Sequence, residues 1–462
     1  MSRLIAAADA ACPIHLLQAD QFDGWRDSLP SATRHWVSLQ RFRAATGEWL
    51  ALPDEQGRLS GLAQSFDPRR ALWTLAGAAD SWPLGSYQLP ADLDADTREA
   101  IALGFLMGGY RYTRYSGKAP EGVSLVVADA ALRERVEAIA SAWQLGRDLV
   151  NTPTEDLGPE QLADKATEIG HRFDAGVRVH LGDALAQQFP AIHAVGRASH
   201  RAPRLLELDW GQPQHPLVTL VGKGVCFDTG GLDIKGADGM ALMKKDMGGA
   251  AVALSLAQLI MQTGLPVRLK LLLPLVENAI GPDAYRPGEV IRTRAGLTVE
   301  IGNTDAEGRV VLCDALNYAG ESQPELLLDF ATLTGAARVA LGPDLPALFS
   351  DDEALADGLL AGGRASSDPL WRMPLWDDYL LDLASPIADL NNAGSSRMAG
   401  AITAALYLKR FVKPGTAWAH LDTYCWTGKP RPGRPVGGEV QGLRAAFAYL
   451  EWRYRSGAEE RR

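Results

Sequence analysis

Seven of the charged side chains in two short, glycine-rich stretches of the sequence could together build a cation site. The stretches are Val221–Ala251 and Ile301–Asp314. The seven residues are Lys223, Asp228, Lys235, Asp246, Asp305, Glu307 and Arg309. If the four carboxylates converge, each pair about 4 Å apart repels by roughly 4 kcal/mol at an effective dielectric of about 20. A pair of divalent cations would cancel that repulsion, so the pattern indicates a metal site.

The available ligands favour oxygen coordination. None of the eight histidines lies in either stretch, so the pattern is not that of an imidazole-built site. The four cysteines are widely scattered and form no CxxC pair, which argues against a thiolate zinc site or a disulfide framework. Carboxylates suit Mg or Mn and, with a nitrogen donor, Zn.

Each of these residues also has a structural explanation when it is considered alone. Acids that precede a helix can cap it, as Asp246, Asp305 and Glu307 could do. Lys223 could bind phosphate in its glycine-rich loop, but the GxxxxGK[ST] pattern is absent. Solvation could explain Lys235, Lys244 and Lys245, and a structural ion pair with a carboxylate could explain Arg309. These separate explanations do not account for the co-occurrence of all seven charged residues.

The elements around these stretches predict a sheet that could position them. Apolar runs predict buried strands at Pro216–Val221, Arg268–Leu275, Glu325–Phe330 and Ala417–Leu421. Helical patterns lie between them at Gly249–Thr263 and Arg309–Gly320. Such an alternation predicts an α/β fold with a mainly parallel sheet covered by helices on both faces. Ligands bind beyond the carboxyl ends of such strands, where the charged stretches lie.

The chain is too long for one ordinary core, which predicts two domains. We expect a small N-terminal α/β domain over 1–145, with a role in oligomerisation or regulation, and a larger catalytic α/β domain over 146–462. The junction is placed on the helical pattern Ala131–Val150, which ends just before Pro153.

Composition restricts the function classes further. With 47% hydrophobic and 22% charged residues, the chain is typical of a soluble globular protein. A formal net charge of -10 disfavours nucleic-acid binding. No run approaches the roughly 18 apolar residues of a membrane span, and the N-terminus lacks the apolar core of a secretory signal. We therefore expect a cytoplasmic protein with no membrane partner.

The two charged stretches resemble the signature segments of a known peptidase family. NTDAEGR (Asn303–Arg309), VGKGVCFDTGG (Val221–Gly231) and MKKDMGGAA (Met243–Ala251) resemble segments of the leucyl aminopeptidase family of metallopeptidases. Further similarities run in consistent order, including RDLVNTP, LPLVEN, DFATLTGA and WAHLD, and the resemblance covers about residues 145 to 450. It implies a two-metal aminopeptidase that removes N-terminal residues from peptides, with a preference for hydrophobic, leucine-like ones.

The resemblance also implies residue roles and partners. Lys223, Asp228, Asp246 and Glu307 would hold the tighter metal, and Asp228, Asp305 and Glu307 the more exchangeable one. Lys235 and Arg309 would be the catalytic pair, with Arg309 holding a bicarbonate as general base. The pocket for the first side chain would be formed by Met243, Thr332, Leu333 and Gly335. Mn or Zn are the expected metals, with Mg and Co as alternatives, and the expected assembly is a homohexamer.

Two positions depart from the family pattern, and three rival functions stay open. Gly236 follows Lys235 where proline is common, and the stretch Gly437–Leu450 lacks its usual form, which affects the predicted substrate preference. One rival is a DNA-binding or regulatory protein with secondary peptidase activity, which the acidic charge disfavours. The others are a catalytically inactive scaffold and a different two-metal hydrolase such as a phosphatase.

Overall fold

Two compact units make up the chain. The computed structural model describes residues 3–117 and 121–456. The first unit comprises Met1–Gln144 and Lys429–Val436, and the second comprises Leu145–Gly428 and Gly437–Arg462. The short segment Lys429–Val436 belongs with the first unit although it lies within the predicted catalytic domain. The domain boundaries at 1–145 and 146–462 therefore stay a prediction.

The first unit contains a six-stranded sheet with helices. Its strands are β1 (Arg3–Ile5), β2 (Cys12–Leu17), β3 (Trp49–Pro53), β4 (Leu59–Ser65), β5 (Ser86–Gln88) and β6 (Ser124–Val126). Its helices are α1 (Phe22–Ser28), α2 (Ser31–Leu39), α3 (Ala78–Ser81), α4 (Ala95–Gly108) and the start of α5 (Ala130–Asn151). The strand order is β1-β6-β5-β2-β4-β3, and every pairing is parallel except that between β3 and β4.

The second unit contains most of the helices and a nine-stranded sheet. Its longer strands are β7 (Gly176–Leu181), β8 (Arg204–Trp210), β9 (Leu217–Gly222), β10 (Gly224–Asp228), β11 (Arg268–Asn278), β14 (Leu326–Ala331) and β18 (Trp418–Asp422). Its short strands are β12 (Val290–Arg292), β13 (Thr298–Glu300), β15 (Ala347–Phe349), β16 (Trp371–Arg372), β17 (Leu390–Asn391), β19 (Trp426–Thr427) and β20 (Gly437–Gly438).

The helices of this unit alternate with those strands. They are α6 (Pro159–Arg172), α7 (Gly182–Gln188), α8 (Pro190–Gly196), α9 (Ala237–Met240), α10 (Gly248–Gln262), α11 (Glu307–Glu321), α12 (Gly335–Leu341), α13 (Glu353–Ala365), α14 (Gly400–Lys409) and α15 (Leu443–Glu451). A 3₁₀ helix at Met243–Met247 precedes α10. Within residues 3–117 and 121–456, every helix is too short or too polar to cross a membrane.

The centre of the large sheet confirms the predicted fold class. The sheet order is β16-β15-β18-β14-β9-β11-β8-β7, with β10 paired to β11. Strands β18, β14, β9 and β11, which correspond to the four predicted apolar runs, are adjacent and parallel. Every residue of β14 is buried, as expected for a strand covered on both faces. The antiparallel strands β7, β8 and β15 lie toward the edges.

Helix α10 begins against the backbone of β14 because its first two residues are glycines. A Cβ atom at Gly249 would lie 2.1 Å from the carbonyl oxygen of Phe330, far inside van der Waals contact. Only glycine permits this approach, and the whole of α10 from Gly248 to Met261 is buried. The close packing places the preceding 3₁₀ helix beside the carboxyl end of β14.

Candidate metal centre and active site

The carboxyl ends of neighbouring strands position the charged residues that the sequence analysis singled out. Lys223 directly follows β9, and Asp228 ends β10. Asp246 lies in the 3₁₀ helix, and Glu307 is the first residue of α11. The fold thus brings both charged stretches to one edge of the sheet, where ligands bind in open α/β sheets.

Lys223 connects the two stretches through an ion-pair network. Its Nζ lies 2.8 Å from Asp246 Oδ2 and 2.8 Å from Glu307 Oε1. It also donates a hydrogen bond of 2.9 Å to the carbonyl oxygen of Thr332. Burial alone would lower the pKa of Lys223, but Asp246, Glu307 and Asp228 together raise it. The amine is therefore surrounded by acids within a buried pocket.

Lys235 makes a second, similar set of contacts. Its Nζ lies 2.8 Å from Asp228 Oδ2 and also forms an ion pair with Asp305 Oδ1. The loop that carries it turns at Gly230 and Gly231, whose φ angles of +88° and +65° favour glycine. This turn brings Lys235 back over the end of β10.

Three carboxylates stand close enough to share one cation. Asp228, Asp305 and Glu307 each offer an oxygen, and these oxygens lie within 4.8 Å of one another. Burial and the nearby Asp228 raise the pKa of Glu307 well above its ordinary value. The same two causes raise the pKa of Asp305 to about 6, although Lys235 acts in the opposite direction. The carboxylates repel one another, and a cation among them would relieve this repulsion.

The donor set fits divalent metal ions. Four carboxylates, including Asp246, face only two lysines, so the cluster keeps an excess of two negative charges when all are ionised. Carboxylate oxygens are hard ligands, and a lysine nitrogen adds the donor type that Zn accepts. The chemistry of the cluster therefore suits the predicted divalent ions.

Arg309 is the third residue of α11, two positions after Glu307, and is not among the residues that line the cavity. Its guanidinium is buried, and burial lowers its pKa. Within the described part of the chain, its Nη1 atom has no hydrogen-bond partner. A buried guanidinium with an unused donor can bind an anion.

A cavity of about 620 Å³ opens onto the cluster. Six of the seven charged residues singled out above line it, Arg309 being the exception. All four predicted pocket residues also line it: Met243, Thr332, Leu333 and Gly335. The structure thus brings the predicted metal ligands and the predicted side-chain pocket to one cavity.

Two buried residues that the sequence analysis assigned no role support the site. Asn278 at the end of β11 donates a hydrogen bond of 2.8 Å to Asp228 Oδ1. Asp422 at the end of β18 accepts hydrogen bonds from the backbone N–H of Leu333 (3.0 Å) and the hydroxyl of Thr334 (2.6 Å). Their position at carboxyl ends of predicted strands was the signal that could have revealed them.

The sequence matches one peptidase family over both of its parts. Residues 144–445 match the catalytic domain of the cytosol aminopeptidase family, and residues 12–128 match the N-terminal domain of the same M17 aminopeptidases. The chain belongs to the cytosol aminopeptidase family. This confirms the resemblance and makes the chain a metal-dependent hydrolase, an aminopeptidase that acts on peptides.

Proteins similar to this chain agree with the assignment. A probable cytosol aminopeptidase from Roseiflexus castenholzii is 41% identical over 80% of this chain and 79% of its own length. The crystal structure of a cytosol aminopeptidase from Coxiella burnetii is 46% identical, with a TM-score of 0.95 over 98% of this chain and 99% of that one. The bottromycin maturation enzyme BotP in complex with Mn is 33% identical, with a TM-score of 0.87 over 96% of this chain and 99% of that one. The family uses divalent metals.

Proposed function

We propose that this chain releases hydrophobic, leucine-like residues from the amino ends of peptides with the help of two divalent metal ions. One observation carries the proposal. Three carboxylate oxygens, from Asp228, Asp305 and Glu307, converge within 4.8 Å at the end of the cavity that holds the predicted side-chain pocket. Two divalent cations bound to such a cluster would relieve the repulsion between its carboxylates and would lie beside the substrate.

The ligands divide into two sets that share residues. Lys223, Asp228, Asp246 and Glu307 would hold the tighter metal, and Lys223 must lose its proton to do so. Asp228, Asp305 and Glu307 would hold the more exchangeable one, with the backbone carbonyl of Asp305 as a further ligand. When bound, such a pair of ions lowers the pKa of water and polarises a carbonyl group.

The proposed catalytic pair acts beside the ligands. Lys235 would keep its proton and donate hydrogen bonds to the oxyanion that forms when the scissile carbonyl is attacked. Its position within 2.8 Å of Asp228 supports this role, because the carboxylates stabilise its ammonium form. Arg309 cannot accept a proton at ordinary pH. Its unused buried donor supports the binding of a bicarbonate, whose oxygen could serve as the base.

The walls of the cavity suit an aliphatic first residue. Met243 and Leu333 present apolar surface, and Thr332 and Gly335 lie next to them. Thr332 is held by hydrogen bonds from its hydroxyl to Asp246, with a distance of 2.8 Å to Oδ1. A shared contact between a metal ligand and the pocket wall would fix the first side chain relative to the metals.

Three further parts of the proposal rest on the family alone. Mn or Zn would be the native metals, with Mg or Co able to substitute. The assembly would be a homohexamer, and the enzyme would act in the cytoplasm. Metal analysis of the enzyme as isolated, sedimentation and fractionation would test these three parts in turn.

The deciding experiment is metal replacement with matched substrates. The chelator-treated enzyme is assayed with leucine p-nitroanilide and with its N-acetylated form, before and after addition of Mn, Zn, Mg or Co. We expect no turnover without metal, recovery with Mn or Zn, and no hydrolysis of the acetylated substrate, which lacks a free amine. Full activity after metal removal, or equal cleavage of both substrates, would contradict the proposal.

The bicarbonate hypothesis needs its own assay. Activity of the Mn-loaded enzyme should fall when carbonate is rigorously removed and return when bicarbonate is added. The Arg309→Met variant should be slower and should no longer respond to bicarbonate. An unchanged rate in carbonate-free buffer would exclude bicarbonate and leave the metal assignment intact.

A further inference from the structure

The cavity also contains a buried lysine that the proposed mechanism does not use. Lys245 lies in the 3₁₀ helix between Lys244 and Asp246, and only 5% of its surface is exposed. It lines the same cavity as the predicted side-chain pocket. It therefore borders the space in which the first residue of a substrate would lie.

Unlike the other two lysines of the cavity, Lys245 has no acid partner. Lys223 and Lys235 each contact two carboxylates. Across residues 3–117 and 121–456, the side chain of Lys245 forms no ion pair and no hydrogen bond, and its Nζ lies 4.7 Å from the ring centroid of Tyr424. Burying an unpaired charge is costly, so this position favours a ligand that supplies the missing partner.

A second cation stands against the same ring. The guanidinium carbon of Arg338 lies 4.9 Å from the ring centroid of Tyr424, and both residues line the cavity. Arg338 is exposed and has no ion pair within the described part of the chain. A ring face attracts each cation, but two cations near one ring also repel each other.

The acids of the cavity leave these two cations unneutralised. Asp422 is occupied by hydrogen bonds from Leu333 and Thr334. The remaining acid of the lining outside the metal cluster is Asp238, which is exposed and forms no ion pair with Lys245 or Arg338 in the described structure. The side of the cavity around Tyr424 is therefore cationic, whereas the metal cluster is anionic.

We propose that this side of the cavity accepts an acidic side chain on the first residue of the substrate, in addition to leucine-like ones. The inference rests on the proposed function, because the first residue must lie in this cavity. The methylene groups of a glutamate would pack on Met243 and Leu333, and its carboxylate would pair with Lys245 and Arg338. Charge-assisted hydrogen bonds of this kind are roughly twice as strong as neutral ones.

The test compares three p-nitroanilide substrates. Their p-nitroaniline leaving group has no carboxylate, so the side chain of the first residue is the one place where the substrates can carry a carboxylate. Glutamate, glutamine and leucine p-nitroanilide are assayed with the Mn-loaded full-length enzyme, and kcat/KM is expressed as the glutamate-to-leucine ratio. Lys245→Met removes the charge and keeps an unbranched side chain, and Arg338→Met does the same at an exposed site. Lys165→Met is the matched control, because Lys165 lies on α6, is not among the residues that line the cavity, and forms an ion pair with Glu168.

We expect the wild-type enzyme to cleave the glutamate substrate. Lys245→Met should lower the glutamate-to-leucine ratio by about 10- to 100-fold, as expected for a lost charge-assisted contact. It should lower the glutamine-to-leucine ratio less, because glutamine carries no charge. Arg338→Met should act in the same direction even if Lys245→Met does not fold, and Lys165→Met should leave both ratios unchanged.

Two outcomes distinguish a failure of the proposed acidic preference from a failure of the proposed aminopeptidase function. Cleavage of leucine p-nitroanilide without cleavage of the glutamate substrate, or an unchanged ratio in both cavity variants, overturns the acidic preference alone. Failure to cleave any of the three substrates with any metal overturns the proposed function itself. Calorimetric binding of glutamate and leucine, the free products, gives a readout independent of turnover, and Lys245→Met should weaken glutamate binding more.

Discussion

Lys223 and Lys235 have nearly the same surroundings but are assigned opposite roles. Each Nζ contacts two carboxylates: that of Lys223 lies 2.8 Å from both of its partners, and that of Lys235 lies 2.8 Å from Asp228 and also pairs with Asp305. The side chain of Lys223 is 3% exposed and that of Lys235 is 16% exposed. We propose that Lys223 ligates a metal as a neutral amine and that Lys235 stabilises an oxyanion as an ammonium. Replacing each lysine with methionine should separate these roles.

The expected magnitudes follow from those contacts. For Lys235→Met, loss of one oxyanion donor should lower kcat by about 10²–10³, or about 2.7–4 kcal/mol, with both metals retained. For Lys223→Met, loss of a ligand should lower the occupancy of the tighter metal. In the chelator-treated enzyme, an ammonium 2.8 Å from Asp228 contributes roughly 6 kcal/mol of attraction at an effective dielectric of about 20 before desolvation is counted. Breaking such a buried pair costs about 3–5 kcal/mol, so metal-free Lys235→Met should unfold more readily than the metal-free wild type.

The assay measures metal content and rate for Lys223→Met and Lys235→Met side by side. Both variants are dialysed against limiting Mn, and the metal content per chain is measured by mass spectrometry together with kcat for leucine p-nitroanilide. Apparent Tm is recorded before and after chelation. Addition of Mn should restore much of the Tm of Lys235→Met, because a dication replaces the lost charge. Equal loss of metal in both variants, or full occupancy with equal loss of rate in both, would refute the assignment of different roles.

Two further predictions concern packing and pH. Gly249→Ala should lower the apparent Tm by the equivalent of about 1–3 kcal/mol or more, because its Cβ would lie 2.1 Å from the backbone oxygen of Phe330. Gly24→Ala, in an open position of α1, should leave it unchanged or raise it, and equal effects of the two would contradict the packing argument. Burial alone would lower the pKa of His420, but Asp329, whose Oδ1 lies 2.5 Å from His420 Nδ1, raises this pKa above its ordinary value of 6.5. The ion pair therefore stabilises the fold fully below pH 6.5, and this stabilisation is lost as the pH rises through the folded-state pKa. In Asp329→Asn the burial of His420 should outweigh the weaker attraction of Asp422, which remains. Its apparent Tm should therefore fall further behind that of the wild type from pH 8 to pH 5, and a constant gap would count against this account.

The centre of the fold could be predicted because its strands are mostly apolar, with only single polar residues such as Asp329 and Lys270 among them. Strand β14, predicted at Glu325–Phe330, has every residue buried from Leu326 to Ala331, because a parallel sheet between helices covers such a run on both faces. The edges carried less information. Strands such as Trp371–Arg372 and Leu390–Asn391 are two residues long and are fixed by their neighbours. A pair of residues is too short to show a periodicity of its own.

The metal site could be predicted in type but not in detail. Four acids and two lysines in two stretches predicted a cation site, and the structure brings all six side chains to one cavity. The contacts that orient them depend on residues distant in sequence. Asn278 holds Asp228 across 50 positions, and Asp422 holds the backbone at Leu333 across 89. A single sequence cannot show such pairs, because the position of a residue at the end of a strand does not identify the residue that it contacts.

The stretch Met243–Met247 shows how one short helix serves several tasks at once. In a 3₁₀ helix successive residues point about 120° apart, so neighbours face different surroundings. Lys244 donates a hydrogen bond of 2.6 Å to the carbonyl oxygen of Asn151, whereas Lys245 is buried on the cavity wall and Asp246 joins the carboxylate cluster. The burial of Lys245 therefore excludes, for this residue, the alternative explanation of a solvated lysine. The sequence gives no reason to distinguish Lys244 from Lys245. They differ because the turn of the helix directs Lys244 toward a backbone carbonyl and Lys245 toward the cavity.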